Sequence, residues 1–222
     1  MKQTRFYSIY EQMIGKKRIL YTKSLARGIS VYGENLVKES GDEYREWDAT
    51  RSKLASFIFK GADQISVKPG DVVLYLGAST GTTVSHVSDI VGSDGFIFAV
   101  DSAPRVMRNL IFLAEQRTNI APIIADANKP EEYIDKMCEA DFLYQDVAQK
   151  NQVEIFLKNS DIFLKQSGFA MLAVKARSVD VTKQPKEIFQ NVKNELEKRM
   201  KIIDFRLLEP FQKDHCMFLC KK

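Results

Sequence analysis

The sequence predicts an α/β protein: a seven-stranded, mostly parallel sheet that ends in an antiparallel hairpin, preceded by a small antiparallel β domain. Three observations predict it. From Lys68 onward, short buried-type runs alternate with helix-length amphipathic stretches, the pattern of βαβ units in a doubly wound sheet. The last two strand-like runs are joined only by the polar EPFQKDH, which leaves no room for a helix, so they pair antiparallel. Before residue 46, β-branched and aromatic runs are punctuated by glycine turns.

The elements follow in order. FYSIYEQ, KRILYTKS and GISVYGENLV, separated by Gly15-Lys16-Lys17, Arg27-Gly28 and Gly33, read as hairpin-type strands of a domain over 1–45. The second domain spans 46–222. A helix is predicted over Arg45–Phe59, with Trp47, Leu54, Phe57 and Ile58 at helical spacing, a cap at Asp48 or Thr50, and Gly61 as its stop. Strands are expected at 72–76, 95–100, 121–125, 141–147, 169–176, 201–208 and 216–221. Helices are expected at Thr82–Val91, Pro104–Arg117, Pro130–Cys138, Asn151–Lys165 and Pro185–Met200, with proline suited to a first helical turn.

Composition narrows the function classes. A chain of 222 residues with 45% hydrophobic and 28% charged residues reads as globular, with enough length for a full core. A net charge of +4 permits a nucleic-acid partner without demanding one. No apolar run reaches bilayer-spanning length, and MKQTRFYSIYEQ lacks a signal-peptide core, so an intracellular, cytoplasmic location without a membrane partner is expected. Three cysteines without a C-x-x-C pair and two histidines argue against disulfides and against a metal site. Cys216 and Cys220 are expected to face the core, and His86 to be a packing or surface residue.

VVLYLGASTGTTVSHV (72–87) carries the first chemical signal. Gly77–Gly81 matches G-x-S-x-G, which presents a nucleophilic serine in hydrolases, and the order Ser79, Asp146, His215 suits such a triad. The loop follows the first strand of the α/β region, too early for that role, and the triad leaves Asp101 and Asp126 idle. The alternative is a cradle where the backbone of Gly77, Ala78, Ser79 and Gly81 approaches a ligand. In an open α/β sheet, ligands lie beyond the carboxyl ends of the strands. Those ends carry Asp101, suited to two ribose hydroxyls; Asp126-Ala127, a polar edge and a small residue beside an adenine; then Asp146 and Lys175. Together they point to an adenosine cofactor. The missing G-x-G-x-x-G and the terminal hairpin favour the class I, Rossmann-like methyltransferase arrangement over dinucleotide redox folds.

YREWDATRSKLA (44–55), VLYLGASTGTTVSHVSDIVG (73–92), AVDSAPRVMRNL (99–110), DANKPEEY (126–133), DVAQ (146–149), VKARSVDVTK (174–183) and EPFQKDHCMF (209–218) carry a further signal. In these stretches the chain resembles the fibrillarin family, ribose 2′-O-methyltransferases of box C/D ribonucleoproteins, in its archaeal form without a glycine/arginine-rich tail. Asp101 stands where the family more often has Glu, and Asp48-Ala49 where it often has Asn-Pro. The resemblance implies S-adenosylmethionine held by Thr82 and Thr83, Asp101 and Ser102, Asp126 and Ala127, and Asp146, Val147, Ala148 and Gln149. It also implies a catalytic set of Lys53, Asp146, Lys175 and His215. Lys60, on nearly the same helix face, competes with Lys53, and the RSK motif favours Lys53. Whether Lys175 orients the hydroxyl or takes its proton stays open.

The expected product is a 2′-O-methyl ribose in pre-rRNA, and possibly tRNA. The partners implied are guide and substrate RNA, a Nop-domain scaffold protein and, indirectly, a kink-turn-binding protein. Arg45, Arg51, Arg105, Arg108, Arg177 and Lys183 are the basic residues near the motif loops. The rival from another class is a methyltransferase fold kept as a non-catalytic assembly subunit.

Overall fold

The computed structural model describes residues 1–222. Its first unit is a five-stranded antiparallel sheet of β1 (Lys2–Gln3), β2 (Ile9–Ile14), β3 (Lys17–Lys23), β4 (Leu36–Glu39) and β5 (Asp42–Trp47), in the order β1-β2-β3-β5-β4. Arg45–Trp47, expected to open a helix, instead finish β5, where Trp47 pairs with Leu20 and Arg45 with Thr22. Alternation overrides the helical spacing there: Tyr44 and Trp47 are buried and pack on opposite clusters. The helix itself, α1 (Lys53–Phe59), is capped by Ser52 rather than by Asp48 or Thr50. Gly61 ends it as expected, at φ +79°.

The second unit is a seven-stranded sheet of β6 (Val72–Leu76), β7 (Phe96–Asp101), β8 (Ile120–Ile124), β9 (Ala140–Gln145), β10 (Leu164–Lys175), β11 (Lys201–Leu207) and β12 (His215–Lys221). Its order is β11-β12-β10-β9-β6-β7-β8, parallel from β10 to β8, with β12 antiparallel to both β10 and β11. β12 is therefore an interior strand, with His215 as its first residue. The helices are α2 (Thr82–Val91), α3 (Pro104–Glu115), α4 (Gln152–Phe163), the short α5 (Ala176–Val179) and α6 (Pro185–Leu196). Pro104 and Pro185 sit in first turns, where a missing N–H costs nothing.

Side-chain alternation along the strands divides the core. Val73, Tyr75, Ile97, Ala99, Phe142 and Tyr144 face α1, α2 and α3, and this layer continues into Ile9, Leu20 and Trp47 of the small sheet. Leu74, Leu76, Leu143, Leu172, Val174 and Phe218 face α4 and α6, joined by Cys216 and Cys220 at 0% exposure. The expected helix over Pro130–Cys138 is only two single 3₁₀ turns, Pro130–Glu132 and Ile134–Lys136. Its apolar anchors are too few: Pro130 and Tyr133 are buried while Ile134 is exposed. β10 starts earlier than expected, at Leu164, with a register break before Phe169.

β6 is the switch point. The chain moves from β6 outward to β7 and β8, then returns to β9 on the other flank of β6. The crevice between the carboxyl ends of β6 and β9 is where such a sheet accommodates a ligand.

Candidate active site

Backbone geometry forces the loop after β6 to be glycine. Gly77 has φ +81°, and a Cβ there would lie 2.3 Å from the Asp146 carbonyl oxygen. The amide of Asp146 in turn donates to the Leu76 carbonyl at 2.9 Å, so the two strand ends are laced together. Gly81, at φ +91°, packs against α3, where a Cβ would meet Leu113 Cδ2 at 2.4 Å. Gly81 thus sits behind the loop and brings α2 close to α3. As the residue before α2 it provides no side-chain cap. The first amides of α2, beginning at Thr82 and Thr83, therefore lack partners within the helix and suit an anionic group.

A cleft of about 330 Å³ opens at this point. Its walls include Lys53, Tyr75, Gly77, Ala78, Ser79, Thr82, Thr83, Asp146, Ala148, Lys175 and His215, joined by Arg51 and Thr80. The four residues of the expected catalytic set thus share one cleft. Lys53 Nζ donates to Asp146 Oδ2 at 2.7 Å, both side chains being about three-quarters buried at 20% and 25% exposure. Lys53 reaches it because Ser52, the cap of α1, accepts a hydrogen bond from Thr83 at 3.0 Å, tying the start of α1 to the start of α2. Lys60 lies exposed at the far end of α1, outside the cleft.

Lys175 and His215 face each other as a register pair between β10 and β12. Gln152 clamps the Lys175 backbone from both sides: its Oε1 accepts the Lys175 amide at 3.1 Å and its Nε2 donates to the carbonyl at 3.3 Å. Gln145 then donates to the Gln152 carbonyl at 2.6 Å. Sequence reading missed these buried glutamines and the roles of Ser52 and Tyr75. The two glutamines carry no motif signal, but Ser52 stood inside RSK, one residue before a lysine already under suspicion.

His215 Nδ1 lies 2.5 Å from the Lys213 carbonyl oxygen, a contact only an N–H donor can make. In the neutral ring this leaves Nε2 as an acceptor. Burial, with help from the nearby Lys53 and Lys175 cations, lowers its pKa below the ordinary histidine value, against the opposing pull of the Lys213 carbonyl and Asp146. The ring is therefore neutral at physiological pH.

The other strand-end residues lie along the same edge. Asp101, at the end of β7, accepts the amides of Ser79 at 2.8 Å and Ala103 at 2.9 Å. Its carboxylate oxygens keep further lone pairs for hydroxyl donors, and Ser102 beside it is exposed. Asp126, past β8, accepts both the amide and the side chain of Asn128 through Oδ1, which hold its pKa below the usual value. Asn128 continues to Gln149 at 2.7 Å and Asn151 at 2.7 Å, linking the ends of β8 and β9 around Ala127 and Val147. This donor and acceptor set fits a nucleoside carrying an amino-acid tail: hydroxyl acceptors, a polar edge, and amides for a carboxylate. Ser79 is engaged through its amide and stands in no triad.

Two expectations need correction or sharpening. Arg45, counted among the basic residues near the motif loops, is buried: at 0% exposure its guanidinium pairs with Glu34 at 2.6 Å and Asp89 at 2.7 Å. Asp89 also pairs with Arg117 at 2.6 Å and accepts from Thr22 at 2.7 Å. His86 is a buried core residue, bonded to Thr22 and Tyr32 at 2.8 Å each and stacked on Trp47. This knot fastens the small sheet to α2, the helix whose other end faces the cleft.

Comparison with known proteins adds independent support. The family model described as Fibrillarin matches residues 1–222. A Methanocaldococcus jannaschii protein, fibrillarin-like rRNA/tRNA 2′-O-methyltransferase, is 49% identical over 217 residues, covering 96% of this chain and 94% of its own. Among solved structures, Aeropyrum pernix fibrillarin in complex with natively bound S-adenosyl-L-methionine superposes with a TM-score of 0.91 at 42% identity, covering 99% of this chain and 96% of its own. The structure of a fibrillarin/Nop5p complex gives 0.88 at 40% identity, covering 98% of this chain and 99% of the other. Strand order, cleft and match along the whole length agree: the chain belongs to the fibrillarin family.

Proposed function

We propose that this chain is an S-adenosylmethionine-dependent RNA ribose 2′-O-methyltransferase that works within a box C/D ribonucleoprotein. The observation that carries the reading is the meeting of the Lys53–Asp146 ion pair with the Lys175/His215 register pair at the switch point of the sheet. Thr82 and Thr83 at the open start of α2 hold the cofactor's carboxylate, Asp101 and Ser102 its ribose, and Asp126 with Ala127 its adenine. Gly77, Ala78, Ser79 and Gly81 shape the cradle, and Asp146, Val147, Ala148 and Gln149 line it from β9. The cofactor supplies a methyl group already activated by a sulfonium.

The chain's own contribution is then positioning and proton removal. Lys53 fixes the Asp146 carboxylate through Oδ2 and leaves its other oxygen for the reaction centre. Lys175, held by Gln152, orients the attacking 2′-hydroxyl. Neutral His215, with Nδ1 committed to Lys213, offers Nε2 to receive the proton.

The division of the chain at residues 45 and 46 into a β unit and a methyltransferase unit belongs to this reading. It is supported by the two separate sheets, although β5 runs on to Trp47. The Nop5p complex of a relative supports a Nop-domain scaffold as partner. Guide RNA and a kink-turn-binding protein complete the assembly, with rRNA and tRNA as substrates, a division of labour suited to a chain whose own cleft reads a ribose rather than bases. No helix is long and apolar enough to cross a membrane; the archaeal relatives support an archaeal, cytoplasmic setting. The test is methyl transfer from labelled S-adenosylmethionine in the reconstituted complex. Lys175→Ala should reduce transfer by about 10²-fold or more while cofactor affinity stays near wild type; full transfer by this variant removes Lys175 from the mechanism.

A further inference from the structure

The arginines of this chain divide sharply. Every arginine from Arg5 to Arg206 pairs with a carboxylate, except Arg51, Arg105 and Arg108. These three are exposed, and Arg105 and Arg108 stand on α3. Arg51 lines a groove of about 390 Å³ between the 30–32 loop of the small sheet and α3. Its guanidinium rests 5.3 Å from the centre of the Tyr32 ring. Arg108 lies one turn along α3 from Phe112, 5.7 Å from its ring centre, and Phe112 lines the same groove at 49% exposure. Arg105 stands one turn before Asn109, a further groove residue. The acids closest to them in sequence have other partners: Asp48 accepts from Thr50, and Asp101 accepts backbone amides.

This groove is continuous with the catalytic cleft, because Arg51, Thr80 and Thr82 line both. A second cavity also adjoins the cleft, about 500 Å³ between α6 and β11, with His215 on its wall. Its walls carry Glu209 and Asp214 beside Lys186 and Lys193, with Asp214 paired to Arg177 at 3.2 Å and Lys193 to Glu197 at 3.8 Å, so its charges balance. A polyanion leaving the reaction centre gains little from that balanced wall and is attracted by the free guanidinium groups of the groove. Exposed aromatics beside arginine are also the surface on which unpaired bases stack.

We propose that the groove between the 30–32 loop and α3 holds the RNA nucleotides that flank the target ribose on one side. Their phosphates lie on Arg51, Arg105 and Arg108, and a base stacks on Phe112. The proposal rests on the methyl-transfer reading for the identity of the strand, but its test is separable from it.

In the assembled complex, 4-thiouridine placed on either side of the target ribose should crosslink to the α3 peptide containing Phe112 from one flank only. Crosslinks that avoid α3 from both flanks would overturn the proposal. The double variant Arg105→Ala, Arg108→Ala alters only exposed side chains without carboxylate partners. It should keep wild-type cofactor affinity and bind a single-stranded RNA oligonucleotide more weakly. Its log–log salt slope should fall by about 1.4, two phosphate contacts at roughly 0.7 each. An unchanged slope contradicts the proposal, as does a variant that binds RNA normally but loses capture of the Nop-domain scaffold, which would assign the face to protein. Were the wild-type complex inactive in methyl transfer yet crosslinked at Phe112, the groove would stand and the catalytic reading would fall.

Discussion

Replacing Gly77 by alanine tests whether the cradle loop holds the reacting carboxylate in place. The new Cβ lies 2.3 Å from the Asp146 carbonyl oxygen, 2.7 Å from its carbon and 3.2 Å from Val147 Cγ1. Ordinary contact begins near 3.4 Å, so the 146–147 segment must retreat by about 1 Å. It cannot retreat freely, because the Asp146 amide is bonded to Leu76 and its carboxylate to Lys53. The left-handed φ of +81° adds about 1–2 kcal/mol of strain for any residue with a Cβ. Displacing a reacting group by about 1 Å is worth roughly 10²-fold in rate. Gly70→Ala is the matched control, since Gly70 has φ +82° with nothing within 4 Å of its Cβ position. Both variants should lose similar stability to backbone strain in urea melts, and the clash adds a further loss only for Gly77→Ala. Single-turnover methyl transfer should fall about 10²-fold in Gly77→Ala alone. Equal rates for the two variants would refute the claim that the loop and Asp146 form one tight unit.

Two other predictions concern the knot between the small sheet and α2. Asp89→Ala leaves Arg45 and Arg117 buried with only Glu34 to compensate them, and should cost about 3–5 kcal/mol by chemical denaturation; a loss below about 1 kcal/mol would mean that the knot relaxes without strain. His86 is buried beside two arginines, and desolvation first, then their charge, holds its pKa well below 6.5. A histidine whose pKa is depressed by folding takes up its proton first in the unfolded chain. Its contribution to stability is therefore complete above about pH 6.5 and is lost as pH falls toward the folded value, at up to about 1.4 kcal/mol per pH unit. His86→Gln should flatten the pH dependence of stability between pH 7 and 5; an unchanged profile would place the titrating proton elsewhere, with His215 the next group to examine.

The sheet was legible in the sequence because its signals are local. VVLYL, FAMLAVKA and CMFLCK are apolar on both faces, and proline marks the starts of α3 and α6. The strand-end residues were legible for the same reason, since topology alone brings Asp101, Asp126, Asp146 and Lys175 to one edge. What escaped were facts fixed by packing at a distance. Arg45 stood among the basic residues near the motif loops, and only the arrival of α2 with Asp89 buries it. Tyr133 and Pro130 suggested a helix, but a single buried turn satisfies them. Nothing local in Gln152 announces that it grips Lys175, because the two meet only when β10 lies beside the start of α4. The G-x-S-x-G match, set aside in favour of a cradle because of its place after the first strand, has the residue types of a nucleophile elbow, yet the loop presents the Ser79 amide to Asp101.

The most direct measurement is transfer of a labelled methyl group from S-adenosylmethionine to a guide-specified ribose in the reconstituted complex, with 2′-O-methylation read at the target nucleotide. The account predicts modification at that ribose by the wild-type chain. It also predicts loss of transfer in Asp146→Ala and Lys175→Ala, with Lys175→Ala retaining cofactor affinity. A wild-type complex that binds the cofactor and RNA but transfers no methyl group would contradict it, and would leave the chain as an assembly subunit.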